Sequence, residues 1–398
     1  MAITPRRLRS STAVTGEKNK TTMSDSEIQT TIPTAIDVVK KGIDRGLHHG
    51  MQLYVSRHGE PLVDAAIGTI DGETPLSTDT LMLWLSSGKP ITAVAVMQQV
   101  ERGRIDLDAP VADYLPEFAI EAKSSLTIRH LLTHTAGLKP TPTGWPHQSW
   151  DEILNRVCKT PLIDGWVPGE RAAYDPARTW FVLAEIVQRV DGRPIAELIR
   201  NEICEPAGME ESWLAMPQDV YEENKSRIGI MHSLQEGKLK PTAGHREAAC
   251  TRPSPGGSMR GPARELGRFY EALLPRQGAA DQPLLLQPES YEQMTSRVRE
   301  GLHDETFQHH LDFGLGVIID SNHYGRDTVP YGFGRHSSSD AFGHGGAQSS
   351  IGFADPEHDL VVVAVANGSP GEPRHQKRFR ELLTALYRDL GVADEDSE

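Results

Sequence analysis

Ser86-Ser87-Gly88-Lys89-Pro90-Ile91-Thr92-Ala93-Val94-Ala95-Val96-Met97 sets a hydroxyl and an amine three positions apart where an apolar, helix-periodic run begins. Residues at that spacing share a helix face, with Cβ atoms about 5–6 Å apart, so the Lys89 amine can reach the Ser86 hydroxyl. In a first helical turn the free N–H groups and the positive end of the macrodipole favour negative charge, helping an oxyanion and disfavouring a protonated lysine. An amine of depressed pKa accepts a proton near neutral pH, and a serine beside it becomes a nucleophile. The periodicity predicts a helix from Pro90, with Ile91, Val94 and Met97 on one stripe and Gly103 as its stop. Pro90 is tolerated because first-turn N–H groups lack intrahelical partners. Taken alone, the same four residues also read as an N-cap serine and a solvated lysine. This is the only Ser-x-x-Lys in the chain.

Four further blocks bear on that choice. Thr127 to Leu138 reads TIRHLLTHTAGL, and Tyr174 lies in ERAAYDPARTWFVLAEIVQRV. Pro253 to Leu274 reads PSPGGSMRGPARELGRFYEALL, and Phe342 to Gly368 reads FGHGGAQSSIGFADPEHDLVVVAVANG. In this order they resemble the serine β-lactamase and penicillin-binding-protein superfamily, in its class C-like branch with the D,D-peptidases and family VIII carboxylesterases. The resemblance runs from about residue 33 to 392.

It implies an α+β fold of the β-lactamase/transpeptidase type, an antiparallel sheet flanked by helices with a helical second lobe. Residues 31–108 and 231–395 would form the α/β lobe and 109–230 the helical lobe, with the active site between them. It also implies that Ser86 is the acylated nucleophile, Lys89 its base partner and Tyr174 a proton relay whose phenolate nearby cations would favour. Backbone N–H groups of Ser86 and Ala347 would form the oxyanion hole, beside His344, Gly345 and Gly346, where small residues let a carbonyl approach. Two departures point away from β-lactams. The family's Asn two residues after the tyrosine, which contacts the acylamide and orients the lysine, is replaced by Pro176. His344 stands where most lactamases carry a lysine, and a titrating imidazole is a poor substitute for a permanent cation.

Composition fits an enzyme acting on small molecules. A formal charge of −14 over 398 residues disfavours nucleic acid and anionic membranes as partners. No apolar run approaches the roughly 18 residues of a membrane helix. Residues 1–30 read as a disordered tail without the apolar core of a secretory signal, and Met23 offers an alternative start. Cys158, Cys204 and Cys250 are odd in number and far apart, as expected of reduced thiols in the cytoplasm. No Gly-x-Ser-x-Gly elbow, His-Glu-x-x-His, phosphate loop or dinucleotide fingerprint occurs, so neither cofactor nor metal is expected. His48-His49 and His309-His310 read as solvated pairs.

Along the chain, 34–48 reads as a helix and 51–71 as a hairpin turning at His58-Gly59-Glu60. Trp180, Leu183, Val187 and Val190 mark a helix ending at Asp191-Gly192. Trp145, Trp150 and Trp166 are candidate walls for an acyl or alcohol group. Residues 313–320 read as a strand, and the polar stretch 323–346 as the pocket mouth or a homo-oligomer contact. A carboxylesterase for short- to medium-chain acyl esters fits best. A β-lactamase or D,D-peptidase-type amidase, an acyltransferase and a non-catalytic relative remain as alternatives.

Overall fold

The computed structural model describes residues 25–120, 123–275 and 284–393. Its centre is a six-stranded antiparallel sheet ordered 60–68, 50–57, 360–366, 350–355, 342–346, 318–319. The hairpin turns at His58-Gly59, both at positive φ. In the strand Leu360–Ala366 every residue is buried, because both sheet faces are covered. Period-two alternation sends Val361, Val363 and Val365 into one core and Val362, Ala364 and Ala366 into the other.

One face carries helices Pro33–Asp44 and Glu372–Asp389; the other carries Ala263–Leu273 and, beyond it, the nucleophile helix Lys89–Glu101. The elements from Val111 to Arg227 are helical, including Arg178–Asp191, which ends on left-handed Gly192. The Ser86 turn packs against the strand Phe342–Gly346.

Several local expectations are corrected. Lys89 to Gln99 is buried on every side, so the Ile91, Val94 and Met97 stripe is part of a fully enclosed helix. Residues 313–320 make a tight turn, leaving only Ile318–Ile319 as strand. Gly314 N–H reaches Val317 O at 2.9 Å, and Gly316 takes a φ of +79° against Ala93 and Trp180. The stretch 323–346 is not simply polar surface, since Val329, Tyr331, Phe333 and Ala341 enter the core. His48 is buried against Arg378, where desolvation and that guanidinium hold its pKa at about 3. Asp25–Thr31 is helical, so the expected tail does not extend to residue 30; its part before residue 25, with Met23, lies outside the described residues.

Candidate active site

Ser86 sits in a 3₁₀ turn, Leu85–Gly88, that runs directly into the nucleophile helix. Leu85 holds a φ of +52°, a conformation costly for a leucine that persists only where neighbours enforce it. Those neighbours are visible: Trp84 N–H donates to Met259 O at 2.9 Å, Ser350 Oγ to Trp84 O at 2.6 Å, and Ser87 Oγ meets Ser350 Oγ at 3.0 Å. The turn is thereby fastened to the sheet.

Lys89 Nζ lies 2.9 Å from Ser86 Oγ, 2.8 Å from Pro176 O and 2.6 Å from Gly256 O. Burial lowers its pKa from 10.5 to about 7, with the Asp175 carboxylate opposing the shift. A neutral amine has two protons and one lone pair. The two carbonyls take the protons, and the lone pair is left for the Ser86 hydroxyl.

Tyr174 Oη lies 2.9 Å from Ser86 Oγ on the other side. Its loop is positioned by two buried groups. The Asp304 carboxylate, 3.1 Å from Arg299 Nη1, accepts the Tyr174, Thr306 and Phe307 N–H groups. His134, at a φ of +57°, accepts the Asp175 N–H on Nδ1 and places its ring 4.6 Å from the phenol ring. Burial raises the Tyr174 pKa above the ordinary phenol value, only partly countered by the bond to Ser86. The expectation that cations favour its phenolate is thus corrected: burial outweighs the Lys89 amine beside it, whose own pKa is lowered to about 7.

His344 ends up buried, with Nδ1 2.7 Å from Gly345 O and its ring 5.7 Å from Tyr174. Desolvation, then Lys89, lowers its pKa to about 3, so it is a neutral imidazole. A Cβ on Gly345 would collide with Tyr331, and one on Gly346 with Trp84 O, which explains the small residues before Ala347.

A cavity of about 480 Å³ opens onto Ser86, with Tyr174, Phe307, Tyr331, Gly345, Ala347 and Glu372 on its wall. A second recess of about 550 Å³ lies across the Tyr174–Pro176 segment, and Ser86 is not on its wall. The three tryptophans line neither. Trp145 donates to Arg252 O, Trp150 packs on Phe181 and donates to Glu185, and Trp166 fills the space over Gly137 and donates to Thr135 O. Their indole N–H groups and faces are spent on packing the helical region, which corrects their reading as pocket walls.

Sequence reasoning overlooked the Pro176 and Gly256 carbonyls, the Arg299–Asp304 pair, and the wall residues Phe307 and Glu372, whereas Tyr331 comes from the stretch 323–346 expected at the pocket mouth. Main-chain acceptors leave no trace in residue identity, although the Gly256-Gly257 turn was a signal for a close approach there.

Comparison with known proteins identifies the family. A family model described as Beta-lactamase matches residues 35–387. Esterase EstB of Burkholderia gladioli is 30% identical over 356 residues, spanning 80% of this chain and 86% of that protein. Esterase/beta-lactamase LipL of Mycobacterium tuberculosis is 26% identical over 348 residues, spanning 80% and 77%. Among solved structures, a penicillin-binding protein homologue from Caulobacter crescentus superposes with a TM-score of 0.71 at 25% identity, covering 90% of this chain and 98% of the other. A family VIII carboxylesterase gives 0.72 at 23% identity, with the same coverages. The chain belongs to the beta-lactamase family and is a serine hydrolase.

Proposed function

We propose that the protein is a carboxylesterase that cleaves short- to medium-chain acyl esters through a Ser86 acyl-enzyme. The observation that carries this reading is Ser86 Oγ held between the Lys89 amine and the Tyr174 hydroxyl, each at 2.9 Å.

In this reading Lys89 takes the Ser86 proton as Oγ attacks the ester carbonyl, and the N–H groups of Ser86 and Ala347 receive the oxyanion. Collapse of the tetrahedral intermediate expels the alkoxide. Tyr174, whose raised pKa keeps it protonated, supplies the proton the alkoxide needs, and the proton on Lys89 restores the phenol. Water then attacks the acyl carbonyl, the Lys89–Tyr174 pair accepts its proton, and Ser86 is regenerated.

The name of LipL, which joins esterase to beta-lactamase, favours lactam opening as a second reading. Two features weigh against it. Pro176 offers Lys89 a main-chain carbonyl but no side-chain amide for an acylamide substrate, and His344 is neutral and turned to Gly345 O. We place the protein in the cytoplasm on its three unpaired, buried cysteines; no helix among the described residues is long and apolar enough to cross a membrane.

The test is wild type beside Ser86→Ala on a p-nitrophenyl ester series and a chromogenic cephalosporin. Rapid ester cleavage that Ser86→Ala abolishes while the fold persists, with slow lactam opening, is expected. Lactam turnover exceeding ester turnover would make the protein a lactamase instead.

A further inference from the structure

The wall of the Ser86 cavity is unusual in its charge. Among the described residues lining it, none is a lysine, arginine or histidine, and one carries a carboxylate, Glu372. That carboxylate is fixed in place rather than free to swing away. Tyr331 Oη donates to it, lying 2.9 and 3.1 Å from its two oxygens, and Gln376 Nε2 donates at 3.1 Å. Tyr331 is in turn held by its N–H to Gln376 Oε1 at 2.8 Å and by the Gln348 N–H on its hydroxyl at 3.3 Å. Tyr331 and Gln348 both sit at positive φ, +53° and +54°, which neither side chain would choose unaided. Neutral donors thus orient Glu372, and among the described residues no cationic side chain forms an ion pair with it.

Beside it runs an aromatic wall. The Phe307 ring lies 4.8 Å from Tyr174 and 5.6 Å from Tyr331, so three rings connect the Ser86 hydroxyl to the Glu372 rim. Ring faces attract cations through their quadrupole, and a carboxylate at the end of such a wall adds a counter-charge. Glu372 also occupies the first turn of the helix Glu372–Asp389. Its carboxylate therefore offsets the positive dipole end of that helix, which would otherwise draw a substrate anion toward this wall.

We propose that the Ser86 cavity selects esters bearing an ammonium group, with Phe307, Tyr331 and Tyr174 as the cation-binding wall and Glu372 as the counter-charge, and that it discriminates against esters bearing a carboxylate or sulfonate. The proposal rests on the Ser86 esterase reading. The net charge of −14 works in the same direction by raising the local concentration of cations.

The experiment compares matched esters differing only in charge, in two arms. In one the charge is on the leaving group: acetylthiocholine, its neutral 3,3-dimethylbutyl isostere and an anionic sulfopropyl thioacetate. In the other it is on the acyl chain: p-nitrophenyl esters ending in trimethylammonium, tert-butyl or sulfonate. The readout is the ratio of kcat/KM for the charged ester to that for the neutral one. In at least one arm the wild type should favour the cation by about tenfold, the combined scale of a cation–π wall and a partly exposed ion contact. That preference should shrink with added salt and largely vanish in Glu372→Gln. Glu372→Lys should invert it toward the anionic ester. Phe307→Leu, which leaves the carboxylate intact, should lower the preference while retaining its salt dependence. A ratio near one in both arms, or a ratio unchanged by Glu372→Gln, would overturn the cation site. Neutral-ester cleavage that survives Ser86→Ala would instead overturn the esterase reading, so the two failures are told apart.

Discussion

Replacing Lys89 by methionine separates the residue's chemical role from its thermodynamic cost. In the unfolded chain the amine titrates at its ordinary 10.5, and in the folded protein at about 7. Between those values the unfolded state binds more protons, so this group contributes stability that rises with pH across that window. The cost of keeping the amine neutral is largest below pH 7, about 4 kcal/mol at pH 7, and falls to about 1 kcal/mol by pH 9.5. Methionine removes this term but strips the Pro176 and Gly256 carbonyls of a donor, a loss of about 1–3 kcal/mol each. The two effects offset near neutrality, so the discriminating quantity is the pH dependence. Urea unfolding followed by tryptophan fluorescence at pH 7 and pH 9.5 should show wild type gaining about 3 kcal/mol relative to Lys89→Met. The rate data should agree: wild-type kcat/KM for a neutral ester should fall on acidification with its midpoint near pH 7, where Lys89 becomes protonated, and Lys89→Met should be slower by orders of magnitude. Stability curves that run parallel for the two proteins would refute the depressed amine, and with it the account of how Ser86 is activated.

Two further substitutions probe the groups around that amine. Tyr174→Phe keeps the ring against His134 and Phe307 but removes the hydroxyl at Ser86. It should lower kcat by about 10²- to 10⁴-fold with thermal stability nearly unchanged and the acidic midpoint still near pH 7; a mild loss would remove Tyr174 from the proton relay. Gly256→Ala would place a Cβ 3.0 Å from Pro176 O and 3.1 Å from Lys89 Nζ, so the amine must shift by a few tenths of an ångström. A fall of about tenfold in kcat/KM with a folded protein is expected by steady-state assay, and full activity would show that the Lys89 position is not critical.

What was legible in the sequence divides along physical lines. Ser86 and Lys89 could be paired because helical spacing alone places them on one face, and the hairpin and the helix ending at Asp191-Gly192 were readable from period and turn residues. Residues 313–320 failed because β-branched and aromatic content suggests strand, while Gly314 and Gly316 permit a turn that the packing on Ala93 and Trp180 requires. The tryptophans failed for a related reason: three large rings near a motif say nothing about which cavity they face until the helical region is assembled around them. Glu372 was invisible because it comes from a segment more than 200 residues from Ser86 with no motif of its own, whereas Tyr331 belongs to the stretch 323–346 read as a pocket mouth, and it does line the Ser86 cavity.

Pro176 shows how a motif can lose a residue and retain a function. The family's asparagine offers lysine a side-chain carbonyl; here the main-chain carbonyl of the same position accepts from Lys89 at 2.8 Å. Proline lacks an N–H, so nothing in the residue competes for that carbonyl, and its fixed φ stiffens the segment that presents it. Asp175 caps the helix Arg178–Asp191 by accepting the Ala177 and Arg178 N–H groups, and it pairs with the Arg178 side chain. Orientation of the lysine therefore survives while the amide that would bind an acylamide substrate does not. The two duties of one asparagine are separable because the first needs only an acceptor, which any backbone supplies, whereas the second needs a donor and an acceptor at the end of a side chain. In the proposed esterase, a site so altered keeps its acyl-enzyme chemistry and changes the substrates it can hold.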